Sequence, residues 1–266
     1  LPASLNVGHK AGKGEYVTWT SDDNIYNLNA IERLLKTLKI NKVDLVYSDI
    51  SKIDANGKEL KEVSFLSFEN ILFGNFIGSC FLYKMEVFNK NDGYNESLFL
   101  VEDYDFWLRA SLHSKFFQLK ENLYNYRLHR DSLTHSISSN SDKNILFIKN
   151  VELMYSSFAK SIMLNNHEVI ARFQTNILIH KKIQFDWIKR NKNMFFEFLT
   201  TLSKFKNYSN KSASKKLLMN KITYVFVSNY KEKQNISRAA FIILNFYSVL
   251  DTKTIKTLIK YSFFKK

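Results

Sequence analysis

Two pairs of carboxylates carry the types and spacing that could do chemistry in this chain. Asp22 and Asp23 close the stretch Tyr16-Val-Thr-Trp-Thr-Ser-Asp-Asp-Asn-Ile-Tyr26. It reads as a short buried strand that stops at the two acids. An amphipathic helix is expected over about 25–39, with Ile25, Leu28, Ile31, Leu35 and Leu38 at three- and four-residue steps. Ligands of α/β folds bind at the carboxyl ends of strands. Adjacent carboxylates there suit a hard divalent cation, Mg²⁺ or Mn²⁺. Asp and Asn before a helix are also ordinary capping residues, and the pair alone does not decide between the two roles. The second pair, Glu102 and Asp103, begins a helix read over Asp103–Leu112, with Phe106, Trp107 and Ala110 on one face. The positive end of the helix dipole would keep a carboxylate there ionised. Capping this helix is the alternative role. Asp105, one turn in, reads as solvated or salt-bridged.

The elements that must position these acids alternate between strand and helix. A strand is expected over Val43–Ile50, a turn at Asp54-Ala-Asn-Gly57, and a short helix over Phe65–Phe73 with Ser67 as its cap. Phe76–Tyr83 is apolar and strand-like, and Gly78 and Ser79 leave room there for close approach. Lys115–Leu119 and Leu123–Leu128 read as two further strands. The pattern predicts an α/β layered fold for residues 1–135. Ser136–Asp142 is a polar break. Beyond it, helices are expected over about 143–165, 168–192, 193–206 and 232–264, which makes 136–266 a separate basic helical region.

Taken in order, Asn6-x-Gly8, Gly14-Glu-Tyr16, Ser21-Asp22-Asp23, Gly93-Tyr-Asn-Glu96, Val101-Glu-Asp-Tyr-Asp-Phe-Trp107 and Tyr124-Asn-Tyr-Arg-Leu-His129 resemble the family 2 glycosyltransferases. That resemblance implies a partial Rossmann-like, GT-A-like mixed sheet flanked by helices. It implies transfer of a sugar from a nucleotide-diphosphate sugar to a glycan or lipid-linked hydroxyl, with inversion, in cell-envelope polysaccharide or glycan synthesis. It implies that Asp103, beside Glu102, is the general base. Asp23, Asp22 and a late histidine, His129, would hold Mn²⁺ or Mg²⁺, a role that neutral imidazole suits. Asn6 would join the two acids in holding the nucleotide. Thr20 stands where many members have a first Asp, which shifts the metal role onto Asp22 and Asp23. Arg127 and Arg130 could touch phosphate, and Asn75 and Ser79 could hydrogen-bond substrate.

The resemblance implies that Leu1 falls well inside the family's fold, so the family's first strands and helices are expected to be missing from these residues. This leads to the expectation of an unpaired sheet edge, apolar side chains exposed near 5–20 and 43–50, and weak nucleotide-sugar binding by these 266 residues by themselves.

Charge divides the chain. Residues 1–135 hold 16 Lys+Arg and 18 Asp+Glu, while residues 136–266 hold 23 and 7. A basic region of this kind fits an anionic membrane, nucleic acid or an acidic protein, or it is a solvated surface. No alternation of aromatic and basic residues favours nucleic acid. A nucleotidyltransferase on a similar fold would start from a glycine-rich basic loop, which is not seen. A single cysteine, Cys80, excludes an internal disulfide and fits a reducing compartment. No stretch reaches the roughly 20 apolar residues of a spanning helix. The expected location is the cytoplasm, or the inner face of the cell membrane as a peripheral protein.

Overall fold

The computed structural model describes residues 1–130, 132–229 and 235–264. They form two compact units, Leu1–Met154 and Tyr155–Lys266. The first unit is a mixed sheet with flanking helices. Helix α1 (Pro2–Ala11) is followed by the two-residue strands β1 (Tyr16–Val17) and β2 (Ile25–Tyr26), helix α2 (Ala30–Asn41) and strand β3 (Leu45–Ile53). Strand β4 (Glu59–Val63), a 3₁₀ turn at Phe68–Phe73, strand β5 (Phe81–Lys84), helices α3 (Met85–Lys90) and α4 (Glu102–Ala110), and strand β6 (Phe116–Arg127) complete the sheet region. The strand order is β1-β5-β3-β6-β2, with β4 paired to β3. β3 runs parallel to β6, and the other pairings are antiparallel.

β3 is central, and eight of its nine residues are buried, including the polar Ser48, Asp49 and Ser51. The expected exposure near 43–50 is therefore wrong: Val43, Leu45, Val46, Tyr47 and Ile50 are core. Nearer the start, β1 pairs on one side, with β5, and Val7 is 69 % exposed.

The segment after the acids also differs from its expectation. Ile25 and Tyr26 pair with Asn125 and Tyr124 of β6 rather than starting a helix. α2 begins at Ala30 and buries Ala30, Leu34, Thr37 and Leu38, while Leu28 is fully exposed. Ladder pairing with β6 outweighs the helical spacing of Ile25 and Leu28. Strand β4 was not foreseen, because a charged, solvent-facing hairpin arm leaves little apolar signal. The two strands expected at 115–128 are one strand, with register shifts against Ser48–Ser51 of β3. The strand expected from Phe76 is ordered as β5 from Phe81, after Gly78 at φ +68°.

Helix α5 (Leu133–Ser139) crosses the polar segment, capped by Ser132, and α6 (Ser141–Ile162) follows. The second unit continues with α7 (His167–Leu178), α8 (Phe185–Arg190), α9 (Lys192–Leu202), α10 (Lys211–Ser228), α11 (Asn235–Phe246) and α12 (Thr252–Ile259). The helix expected over 168–192 is broken at Ile179–Gln184, where His180 takes φ +55°. α10 was not expected. Residues 232–234 of the expected last helix, and Lys265 and Lys266, lie outside the described residues.

Candidate active site

Asp22 and Asp23 sit in a turn between β1 and β2, well ahead of α2, whose N-cap is Asn29. A helix-capping role is thereby excluded for them. The turn is tied down on several sides. Thr18 Oγ1 and Tyr26 Oη are 2.8 Å apart, and Thr20 Oγ1 and the buried Tyr124 Oη are 2.6 Å apart. The position where the resembled family has its first acid is thus a hydroxyl bonded into the sheet. Asp22 is exposed, and its side chain makes no hydrogen bond or ion pair with the described residues.

Asp23 is half-buried, and His129 Nε2 lies 2.8 Å from its Oδ2. Its Oδ1 is buried with no hydrogen-bond partner among the described residues. An unmatched carboxylate oxygen next to an imidazole fits a Mg²⁺ or Mn²⁺ ion that takes few protein ligands and fills its shell from phosphate and water. Among the described residues no group of three or more His, Cys, Asp or Glu is placed to hold a metal. The structure brings Asp23 and His129 into contact, and Asp22 lies within the same turn.

Arg127 does not face solvent phosphate. Its Nε donates to the Asp23 carbonyl at 2.8 Å, and its Nη1 donates to the carbonyls of Asp54 at 3.1 Å and Ala55 at 2.9 Å. Its main-chain N–H donates to Asn24 Oδ1 at 2.8 Å. One guanidinium pins the acidic turn to the β3–β4 hairpin, a use of the planar fork that the sequence reading missed. Arg130 is exposed.

The second pair lies in the first turn of α4. Phe106 and Trp107 are buried against β5, with Phe81 and Trp107 ring centroids 4.8 Å apart, as the sequence pattern implied. Asp103 accepts from Tyr104 N at 2.7 Å and from Asn75 Nδ2 at 2.8 Å. Burial raises its pKa above the ordinary value, against the pull of these two donors. Glu102 is buried, and its Oε2 lacks a hydrogen-bond partner among the described residues. Desolvation likewise raises its pKa. Asp105 is salt-bridged to Arg109 at 2.7 Å and is buried rather than solvated. Just before the pair, Leu100 holds φ +77°, a conformation that costs a branched residue and that clusters at functional sites. Ser79 is half-buried.

Asn6 is buried in α1, and both ends of its amide bond within the fold. Its Oδ1 accepts from Tyr94 N at 2.8 Å, and its Nδ2 donates to Tyr94 O and Glu96 Oε1, each at 2.9 Å. Gly93 has φ +73°, and a β-carbon there would come within 2.7 Å of Asn6 Oδ1. Tyr94 also joins a chain of buried polar contacts. Trp19 Nε1 donates to its hydroxyl at 2.8 Å, and that hydroxyl lies 3.1 Å from Tyr83 Oη, which meets His9 Nε2 at 2.6 Å. Burial first, and then the charges of Asp103 and Glu102, push the Tyr94 phenol up. A cleft of about 470 Å³ between α1 and β1, lined in part by Leu5, His9, Tyr16, Thr18 and Trp19, adjoins this network.

No family model matches the chain. It is similar in sequence to proteins named uncharacterized glycosyltransferases. One, from Rickettsia bellii, is 28 % identical over 153 residues, which is 53 % of this chain and 22 % of that protein. A second, from Methanocaldococcus jannaschii, is 29 % identical over 135 residues, 47 % of this chain and 46 % of the relative. A third, from Haemophilus influenzae, is 26 % identical over 212 residues, covering 75 % and 72 %. The chain thus spans less than a quarter of the R. bellii relative's length. Among solved structures, S. aureus TarS 1–349 in complex with UDP-GlcNAc aligns with a TM-score of 0.49 at 16 % identity, over 86 % of this chain and 71 % of that one.

Proposed function

We propose that this chain carries the metal and base residues of a glycosyltransferase of the family 2, GT-A type. In this reading a sugar passes from a nucleotide-diphosphate sugar to a hydroxyl of a glycan or lipid-linked acceptor in envelope polysaccharide or glycan synthesis. The observation that carries the reading is the Asp103 carboxylate in the first turn of α4, oriented by Asn75 and Tyr104. The similarity to proteins named glycosyltransferases supports it.

The chemistry asks for two things. The attacking hydroxyl must lose its proton, and the departing diphosphate must have its growing charge met. Asp103 accepts the hydroxyl proton as the new C1–O bond forms and the C1–phosphate oxygen bond breaks. A single base on the side away from the leaving group gives inversion at C1. Asn75 and the Tyr104 N–H each hold one carboxylate oxygen, and a remaining lone pair takes the acceptor hydroxyl's proton. A positioned base of this kind is worth roughly 10²–10⁴ in rate. Asp23 and His129, with Asp22, would hold Mn²⁺ or Mg²⁺, which when bound supplies positive charge to the diphosphate. Arg127 keeps Asp23 in place through its carbonyl. Asn6 serves the nucleotide by holding the Tyr94 segment rather than through a free amide.

The test is a transfer assay of the intact gene product with uridine and guanosine diphosphate sugars, with and without Mn²⁺. Release of nucleoside diphosphate that requires both the metal and Asp103 supports the reading. Release that survives both chelation and Asp103→Asn contradicts it. A nucleotidyltransferase would instead release pyrophosphate from a nucleoside triphosphate.

A further inference from the structure

α11 buries Arg238, Ala239, Ile242 and Phe246 on one side. Advancing about 100° per residue, the opposite side carries Ile236, Ala240, Ile243 and Leu244, continued by Tyr247 just past the helix. These are exposed: Ile236 by 58 %, Leu244 by 76 % and Tyr247 by 74 %. The stripe bears no charge, and a run of large apolar side chains in water marks a contact surface. Its border is basic. Ser237 and Ser248 flank one side of the stripe at its two ends, and each holds a lysine. Lys189 Nζ donates to Ser237 Oγ at 2.9 Å, and Lys215 Nζ donates to Ser248 Oγ at 3.1 Å. α12 repeats the arrangement. Ile255, Ile259 and Phe263 recur at four-residue steps and are exposed, Lys253, Lys256 and Lys260 lie beside them, and Thr254 and Leu258 face inward.

We propose that the exposed face of α11, repeated on α12, docks on an anionic lipid bilayer, with the apolar stripe entering the headgroup boundary and the bordering lysines meeting lipid phosphates. The order buried face, apolar stripe, lysine border is that of a helix lying in a membrane interface. The lysine stems follow the apolar surface while the ammonium groups stay among the phosphates. Charge selects this occupant. Residues 136–266 hold 23 Lys+Arg against 7 Asp+Glu, so a second copy of the face would bring like charges together. No helix among the described residues is long and apolar enough to cross a membrane, so the contact is on the surface. This inference does not depend on the transfer reaction.

The test is co-sedimentation of the purified chain with phosphatidylcholine vesicles, with and without phosphatidylglycerol, at low and raised salt. The expected result is binding to the anionic vesicles that weakens with salt, falls at least tenfold in Leu244→Asp, and falls similarly in the Lys189→Glu/Lys215→Glu double variant. Leu244 and Tyr247 project into solvent, so Leu244→Asp and a second variant, Tyr247→Asp, should keep the wild-type circular dichroism. Tyr247→Trp should show a blue-shifted emission with anionic vesicles alone. Equal binding to neutral vesicles, or wild-type binding by both Leu244→Asp and Tyr247→Asp, would overturn the proposal. So would a lipid-free dimer that Leu244→Asp abolishes, because the face would then belong to a second copy.

Discussion

His129 Nε2 lies 2.8 Å from Asp23 Oδ2, although 106 positions separate the two residues in the chain. The contact joins the β1–β2 turn to the segment that follows β6, and it leaves the other Asp23 oxygen buried without a partner among the described residues. If this pair is the metal-holding unit, Asp23→Asn and His129→Ala should each weaken Mn²⁺-dependent nucleotide binding at least tenfold. Calorimetry with nucleoside diphosphate and Mn²⁺ measures this. Asp22→Asn should have a smaller effect, since Asp22 is exposed. Equal loss in all three variants would instead place Asp22 at the ion.

Asp103 should act in its ionised form, so kcat should rise with pH through its pKa. Burial sets that pKa above the ordinary 3.8, and the acid limb should lie correspondingly high. The same shift bears on stability. The folded state favours the protonated acid, so the stability this group lends is complete below the unfolded pKa and is lost as pH rises through the folded one. Asp103→Asn, which stays neutral, should therefore melt higher than the wild type at neutral pH, and the margin should vanish in acid. Melting curves across pH check the sign. A variant less stable than the wild type at neutral pH would show that the carboxylate's hydrogen bonds outweigh its desolvation.

Arg127 should behave as a positioning residue. Removing it leaves the carbonyls of Asp23, Asp54 and Ala55 without their shared donor, at a cost of about 1.5–3 kcal/mol for charge-assisted bonds. Arg127→Met should lower the melting temperature and raise the metal concentration needed for half-maximal rate. Arg127→Lys should rescue poorly, since one ammonium cannot span three carbonyls. Full rescue by Lys would mean that charge, not the fork, is what matters.

Asn6 should matter to the fold before it matters to the ligand. Asn6→Ala strands the N–H and C=O of Tyr94 in the interior, at roughly 1–3 kcal/mol for each unsatisfied group. Gly93→Ala should be destabilising as well, because its β-carbon would strike the Asn6 side chain at a positive φ. Thermal melts of the two single variants and the double variant should show non-additivity, since both act on one contact. Strict additivity would separate them.

The sequence carried the acids and the scaffold better than it carried their neighbours. Phe106 and Trp107 announced the buried face of α4, because apolar spacing survives wherever one surface is fully covered, and Val43–Ile50 announced a strand although not its burial. The β1–β2 turn was misread. Two-residue strands are too short to show a period, and their existence depends on pairing with β6, far along the chain. The carbonyl clamp of Arg127 has no local signature either, since its acceptors are main-chain atoms of Asp23, Asp54 and Ala55. His129 was chosen from its place in a motif, and its contact with Asp23 came into view with the fold. α10 escaped because Tyr224 and Val227 add apolar side chains outside the buried face of Leu217, Leu218, Met219, Ile222, Val225 and Phe226, so no sharp stripe stands out in the sequence.

The central claim is that Asp103 takes the proton of an acceptor hydroxyl during sugar transfer. The most direct measurement is single-turnover release of nucleoside diphosphate from a nucleotide sugar by the intact gene product and its Asp103→Asn variant, with Mn²⁺ and acceptor saturating. The account predicts a fall of roughly 10²-fold or more, with donor affinity little changed. Unchanged turnover by the variant, in a protein whose wild type is active, would contradict it.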